Sequence, residues 1–197
     1  HNPPEFNGFK MSLSQKAFYG DQIQNLRQLI NNQDFELGSG EISVTPILNN
    51  YLEMLKSKIT LERPLKIVMD CGNATGCLSG PQVYKELGIE LTELYCDVDA
   101  TFPNHHPDPT EDENLKDIIK VIKEGDYDFG VAFDGDADRI ILIDEKGEII
   151  RADNMMCLFL PEIIKTSGEE IVFDVKCSQA LEEMIVKYGG TPVVWKT

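Results

Sequence analysis

Three aspartates at alternate positions are the residues of this chain best suited to chemistry. Asp134, Asp136 and Asp138 stand in the run Asp-Gly-Asp-Ala-Asp-Arg, with one small residue between each pair. Carboxylate oxygens are the ligands that hard divalent cations prefer in proteins. Like charges this close in sequence repel one another, and a bound cation compensates for the repulsion. The run therefore predicts a divalent cation site, and a solvated acidic turn is the alternative.

The same spacing resembles the calcium loop of an EF-hand, in which Asp134 would take the first position. The sixth position of that loop is a glycine that permits the sharp turn, and in this chain it is Arg139. An EF-hand also needs flanking helices, whereas residues 127–133 and 140–143 are rich in β-branched and aromatic residues. Such runs favour strands, so we expect a tight connection between two strands.

Strands and helices alternate around this loop. The patterns predict strands over residues 65–70 and 89–95 and a helix over residues 81–87. A second helix is expected to begin at a capping box formed by Thr110 and Glu113. Alternation of this kind predicts an α/β fold of mixed, largely parallel sheets with helices on their faces.

We expect one complete domain flanked by parts of two others. Residues 1–41 are interpreted as the end of a first domain with a linker, residues 42–152 as a complete α/β domain that carries the acidic loop, and residues 153–197 as the start of a third. The complete domain should open with a helix near Pro46. The apolar residues of that helix are expected to lie in the core, and they are Ile47, Leu48, Tyr51, Leu52 and Leu55.

Composition excludes several classes of function. The 197 residues carry a formal net charge of −16, which argues against binding to nucleic acid or to an anionic membrane surface. The sequence contains no apolar run of bilayer length and no recognisable signal peptide, so the cytoplasm is the expected location. The five cysteines lack Cys-x-x-Cys spacing and are expected to be buried, reduced thiols.

The acidic run resembles the metal-binding loop of the α-D-phosphohexomutases, the phosphomannomutase and phosphoglucomutase family. That loop usually has glycine in fourth place, and Ala137 here predicts a backbone without a glycine-specific φ. Three other segments resemble the family, and especially its bacterial phosphomannomutase/phosphoglucomutase branch, in the same order along the chain. They are residues 1–10, similar to the loop that follows the active-site serine, residues 102–109 of the second domain, and residues 189–197 of the sugar-recognition region.

The resemblance implies a Mg²⁺-dependent mutase that interconverts the 1- and 6-phosphates of mannose or glucose. Its partners would be hexose phosphates and a hexose 1,6-bisphosphate, and phosphoserine would carry the phosphoryl group. In the family the serine directly precedes His-Asn-Pro, which here begins at His1. The chain is therefore expected to be a piece of a longer protein and to be inactive alone. Phosphoglucosamine mutase, or a non-catalytic metal-binding α/β module, is the alternative.

The resemblance also assigns residues to roles. Lys10 would act in acid/base chemistry or charge stabilisation, and His1 would orient the serine loop. Arg139 would contact phosphate or support that loop, and Lys196 would contact the sugar phosphate or a sugar hydroxyl. His105 and His106 could be metal ligands, but adjacent residues in a proline-rich loop seldom reach one ion, which favours a role in fixing the loop or an interface.

Overall fold

The fold is given by a computed structural model that describes residue 6 and residues 8–196. His1 lies outside the described residues. The strands and helices follow one another as β1 (Met11–Leu13), β2 (Lys16–Phe18), α1 (Asp21–Asn31), α2 (Leu48–Lys56), β3 (Lys66–Asp70), α3 (Gly80–Glu86), β4 (Glu90–Leu94), α4 (Lys116–Glu124), β5 (Phe129–Phe133), β6 (Ile140–Asp144), β7 (Ile149–Ile150), α5 (Ala152–Ile163), β8 (Glu170–Asp174), α6 (Gln179–Lys187) and β9 (Thr191–Trp195).

The chain forms two compact units, residues 1–47 and residues 48–197. In the first unit β1 and β2 pair as an antiparallel hairpin, and α1 buries none of its side chains. The boundaries predicted from sequence, after residues 41 and 152, stay predictions. None of the described helices has the length and apolar character needed to cross a bilayer.

A five-stranded sheet in the order β4-β3-β5-β6-β7 organises the second unit. β3 lies parallel to β4 and to β5, while β6 is antiparallel to β5 and to β7. A separate pair, β8 and β9, is parallel. Helices pack on these strands, which confirms the predicted mixed α/β fold.

Side chains alternate between the two faces of the sheet, as the two-residue period of a strand requires. On β3, Val68 packs with Leu115 and Ile118 under α4, whereas its neighbours Ile67 and Met69 enter the core on the other face. β5 divides in the same way, with Ala132 in the first core and Val131 in the second. In the observed register, β5 pairs with β6 from Phe129 with Asp144 to Phe133 with Ile140, and the acidic loop begins at the next residue.

The helices predicted near Pro46 and after Thr110 both form, but the core assignment of the first and the cap of the second are wrong. The helix near Pro46 begins at Leu48, and Leu52 is the member of its apolar stripe that is buried, while Tyr51 is 46% exposed. The cap predicted at Thr110 is not formed, because the N-cap residue of the turn that follows is Glu111; the Thr110 hydroxyl instead donates to the Asp108 carboxylate at 2.6 Å. A 3₁₀ turn over Asp112–Leu115 precedes α4, and its N-cap residue has no side-chain capping bond.

The five cysteines are free thiols, as predicted. Cys71 is buried and the other four are partly buried. A hydrogen bond with Cys96, together with burial, raises the pKa of the Cys71 thiol. Because the thiolate is the reactive form, this environment makes Cys71 a poor nucleophile.

Candidate metal centre

The acidic loop joins β5 to β6 at the end of the sheet. The last residue pair of that ladder is Phe133 with Ile140, so six residues form the connection. The Asp134 N–H donates to the Arg139 carbonyl at 3.3 Å, and the Ala137 N–H donates to the Asp134 carbonyl at 3.1 Å. These bonds close the loop on itself. Strands on both sides confirm the predicted connection and are incompatible with an EF-hand.

The loop brings the three predicted ligands together. One carboxylate oxygen from each of Asp134, Asp136 and Asp138 lies within 4.8 Å of the other two. Asp134 is fully buried, whereas Asp136 and Asp138 are exposed. All three donors are oxygens, which is the donor set that a hard divalent cation takes. The arrangement fits a metal ion that approaches from the exposed side of the loop.

Arg139 holds the buried carboxylate in place. Its backbone N–H donates to Asp134 Oδ1 at 3.0 Å, and its Nε donates to Asp134 Oδ2 at 2.6 Å. This hydrogen bond raises the pKa of the Arg139 guanidinium, which is 45% exposed. The guanidinium therefore stays charged, and part of it faces solvent.

The remaining carboxylates repel one another. The charge of Asp136 is the largest of the effects that raise the pKa of Asp138, and desolvation and Asp134 add to it. Arg139 offsets this only in part, since its Nε lies 3.7 Å from Asp138 Oδ1. A bound cation would remove this repulsion, so the electrostatics of the loop favour metal binding.

Ala137 does not take the conformation predicted for it. Its φ is +59°, in the left-handed region where glycine is favoured, so the expectation of an ordinary φ is wrong. The turn needs this conformation because the Ala137 N–H reaches back to the carbonyl of Asp134. The alanine methyl is accommodated because the residue is exposed.

Two segments that sequence reasoning did not connect with the loop lie beside it. In the turn after β3, Thr75 donates its N–H at 3.3 Å and its hydroxyl at 2.9 Å to the carbonyl of Gly135. In the loop before α4, the Asp108 carboxylate lies 3.8 Å from Arg139 Nη1. No local pattern marks these contacts, because they join residues 31 to 60 positions apart.

His105 fixes the second of these segments, which is the role favoured for it from the sequence. Its ring contacts the carboxylate of Asp70 at 3.1 Å and the carbonyl of His106 at 2.9 Å. His106 is exposed, and its ring packs edge-on against Phe102. Neither histidine belongs to the described group of metal-ligating side chains, which consists of the three aspartates.

The other predicted site residues lie elsewhere. Lys10 is exposed and belongs to the first compact unit, and Lys196 is exposed and follows β9. The structure therefore brings Arg139 together with the three aspartates and does not place Lys196 in that cluster.

Comparisons with known proteins point to one family. Residues 49–147 match the family described as phosphoglucomutase/phosphomannomutase, alpha/beta/alpha domain II. Phosphomannomutase/phosphoglucomutase of Pseudomonas aeruginosa is 42% identical over the whole chain, which spans 43% of that protein. A phosphoglucosamine mutase of Methanococcus maripaludis is 33% identical over 98% of the chain and 45% of its own length. A crystal structure of a phosphoglucomutase/phosphomannomutase family protein from Burkholderia thailandensis superimposes with a TM-score of 0.90 at 44% identity, covering 100% of this chain and 43% of that one.

Proposed function

Since this chain belongs to the phosphoglucomutase/phosphomannomutase family, we propose that its full-length protein is a Mg²⁺-dependent phosphohexomutase. It interconverts the 1- and 6-phosphates of mannose or glucose. The observation that carries this proposal is the convergence of the Asp134, Asp136 and Asp138 carboxylates within 4.8 Å. A loop of this kind suits a reaction in which phosphoryl oxygens must be neutralised.

The three carboxylates are compatible with Mg²⁺, the cation that the family resemblance implies. Mg²⁺ takes few protein carboxylates and keeps its other positions for water and phosphate oxygens. When bound, it would neutralise charge on the transferring phosphoryl group. Asp134 would supply a fixed oxygen, because Arg139 already orients its carboxylate, and Asp136 and Asp138 would close on the ion from the exposed side.

The other assigned residues complete the proposal. The exposed part of the Arg139 guanidinium is available for a hydrogen-bonded contact to phosphate. Lys10 would stabilise charge or carry a proton at the serine loop, His1 would orient that loop, and Lys196 would bind the sugar phosphate. The nucleophile would be the serine that the resemblance places directly before His1.

The reaction would proceed in two transfers. Phosphoserine gives its phosphoryl group to the free hydroxyl of a hexose monophosphate, whose proton passes to an acid/base group, and a hexose 1,6-bisphosphate results. After the bisphosphate turns over, the serine oxygen takes the other phosphoryl group and the sugar hydroxyl regains a proton. The serine ends phosphorylated, as it began.

Turnover by the full-length protein tests this proposal. We expect mannose 1-phosphate and glucose 1-phosphate, each with its 1,6-bisphosphate activator, to be converted in the presence of Mg²⁺. Preference for glucosamine 1-phosphate would instead indicate a phosphoglucosamine mutase. Absence of turnover with all three substrates would favour a non-catalytic metal-binding module.

A pair of variants tests the metal assignment. Asp136→Asn keeps the side-chain size but removes one charge from the site. The rate of turnover at a given Mg²⁺ concentration should therefore fall roughly tenfold. Asp126→Asn makes the same change at an exposed position outside the loop and should leave activation unchanged. Equal Mg²⁺ dependence in the two variants would rule out the site.

A further inference from the structure

A buried ion pair lies at the end of β3, outside the acidic loop. Asp70 is 1% exposed, and both of its oxygens contact His105 Nε2, at 3.2 and 3.1 Å. Asp70 Oδ1 also accepts the Gly72 N–H at 2.8 Å. The other ring nitrogen, Nδ1, lies 2.9 Å from the carbonyl oxygen of His106. Each nitrogen of the His105 ring therefore faces an acceptor.

This geometry selects the charged form of the ring. A neutral imidazole carries one N–H and can donate to only one of the two acceptors, whereas an imidazolium donates to both. The hydrogen bond to Asp70 is the largest effect on His105 and raises its pKa, against the opposing effect of burial. The His105 imidazolium and the Asp70 carboxylate thus compensate each other where water has little access.

The other groups that face His105 support the same form. The ring of Tyr95, at the end of β4, contacts it edge-on with centroids 5.3 Å apart. Tyr95 donates its hydroxyl to Asp117 of α4, which raises the pKa of Tyr95 to about 12 and keeps it neutral. Asp117 itself acts on His105 through its negative charge. His106, on the same loop, presents its carbonyl oxygen to the His105 ring.

The pair joins the two segments that touch the acidic loop. Gly72, which is bonded to Asp70, begins the turn that leads to Thr75, and Thr75 donates to the Gly135 carbonyl. On the other side, His105 belongs to the segment that carries Asp108 to within 3.8 Å of Arg139. The two segments are also packed together: a Cβ at Gly72 would lie 2.9 Å from the Cβ of Pro107.

We propose that His105 in its imidazolium form, held on Asp70, is a positioning residue that keeps the acidic loop in the geometry that binds a divalent cation. Loss of the His105 proton breaks one of its two hydrogen bonds and leaves the buried carboxylate of Asp70 uncompensated. The turn at Gly72 and the segment that ends at Asp108 then loosen together. The affinity of the acidic loop for metal falls as a consequence. This inference rests on the proposed metal site and adds that pH controls its affinity.

The sign of this effect is distinctive. Folding raises the pKa of His105, so its imidazolium stabilises the structure fully at pH values below the pKa of histidine in the unfolded chain, about 6.5. This contribution disappears as the pH rises through the pKa of His105 in the folded chain. Ordinary carboxylate ligands behave in the opposite way, because they bind metal better as protons leave them. A decline of Mg²⁺ affinity on the alkaline side of neutrality therefore has the sign expected from His105 and the opposite of the sign expected from the ligands.

The experiment is a Mg²⁺ titration of the full chain between about pH 6.5 and about pH 9, followed through the backbone amides of the acidic loop. The Hε1 signal of His105 is followed in the same samples, and substitution assigns it among the three histidines of the chain. We expect affinity to fall roughly fivefold across the range, a typical coupling between sites. Its midpoint should coincide with the titration of His105.

Two variants complete the test. His105→Gln should bind Mg²⁺ with the weak affinity that the unaltered chain shows at high pH, and without the pH dependence. His106→Gln changes the exposed neighbour and should retain both the affinity and the pH dependence. The amide spectrum shows whether His105→Gln folds. If it does not, the test is made on the unaltered chain: the proposal holds if the midpoint of the fall in Mg²⁺ affinity coincides with the midpoint of the His105 titration, and fails if the two midpoints differ.

The outcomes separate this inference from the proposed function. If Mg²⁺ binds at the loop and its affinity does not change as His105 titrates, the positioning role is overturned and the metal site remains supported. Absence of Mg²⁺ binding at every pH would overturn both.

Discussion

Asp134 and Asp138 should have different effects on stability when metal is absent. Asp134 is buried and accepts two hydrogen bonds from Arg139, one of them from the charged guanidinium at 2.6 Å. Asp138 is 66% exposed, and repulsion from Asp136 raises its pKa. The first carboxylate therefore stabilises the loop, and the last one strains it. Replacing each by asparagine separates the two effects.

Asp134→Asn should lower the free energy of unfolding of the metal-free chain. The amide oxygen can still accept the Arg139 N–H, but the amide nitrogen would face Arg139 Nε, another donor. Hydrogen bonds to charged groups contribute about 1.5 to 3 kcal/mol, and the 45% exposure of Arg139 lets water replace part of this. We expect a loss of about 1 to 2 kcal/mol. Asp138→Asn should instead leave the metal-free chain as stable as before, or more stable, because it removes a repelling charge.

Urea unfolding with and without Mg²⁺ measures both effects. At a Mg²⁺ concentration of 100 times the dissociation constant, the unaltered chain should gain about 2.7 kcal/mol. A tenfold weaker site would still gain about 1.4 kcal/mol at this concentration, so both variants should lose at least about half of the gain, and Asp126→Asn should retain it in full. The reasoning fails if Asp134→Asn is as stable as the unaltered chain in EDTA, since the bonds to Arg139 would then contribute nothing. It fails equally if Asp138→Asn keeps the full response to Mg²⁺.

Two predictions concern residues with a positive φ. For both, the midpoint of urea unfolding reports the change in stability, provided that the variant and the unaltered chain have the same m value. Ala137→Gly should raise stability by roughly 0.5 kcal/mol, because relief of strain at φ +59° exceeds the added entropy of the unfolded chain. Ala180→Gly, at an exposed position of α6, should instead lose roughly 0.5 to 1 kcal/mol. Equal losses at the two sites would contradict the strain at Ala137. Gly72→Ala should lower the free energy of unfolding by roughly 2 to 4 kcal/mol, because the new Cβ would lie 2.9 Å from Pro107 and the residue has a positive φ. Gly88 also has a positive φ, but a Cβ there would have nothing within 4 Å, so Gly88→Ala should cost only about 1 kcal/mol. Equal costs at Gly72 and Gly88 would show that crowding by Pro107 is unimportant.

The sequence predicted those parts of the fold that depend on local pattern. β5 and β6 were expected from their β-branched and aromatic residues, and their ladder ends at the pair Phe133 and Ile140 on either side of the loop. The loop begins at Asp134, directly after the last residue of β5. The ligand cluster followed directly, because its three members belong to one short connection.

The parts that sequence reasoning missed depend on a choice between local hydrogen bonds or on contacts between distant residues. Thr110 had the spacing of a capping residue, but the fixed carboxylate of Asp108 took its hydroxyl. Asp70 and His105 are 35 positions apart, and neither has a local pattern that reveals its partner. Ala137 was expected to avoid a positive φ from its residue type, and the hydrogen bonds that close the loop overrode that preference. Asp70 and His105 thus required a tertiary contact to be recognised, whereas at Thr110 and Ala137 one local hydrogen bond prevailed over another conformation that the local sequence allowed.

The charges of the loop explain why its geometry can exist before a cation arrives and still require one. Three aspartates and Arg139 carry a net formal charge of −2, which one divalent cation would balance. Arg139 forms its shortest ion pair with the buried Asp134, where burying a carboxylate without a partner would cost the most free energy. The remaining repulsion falls on Asp136 and Asp138, which are exposed and can be hydrated until a metal ion arrives. The fold thus fixes one ligand in advance and leaves the other two charged and accessible, so binding an ion relieves strain at the surface without having to reorganise the core.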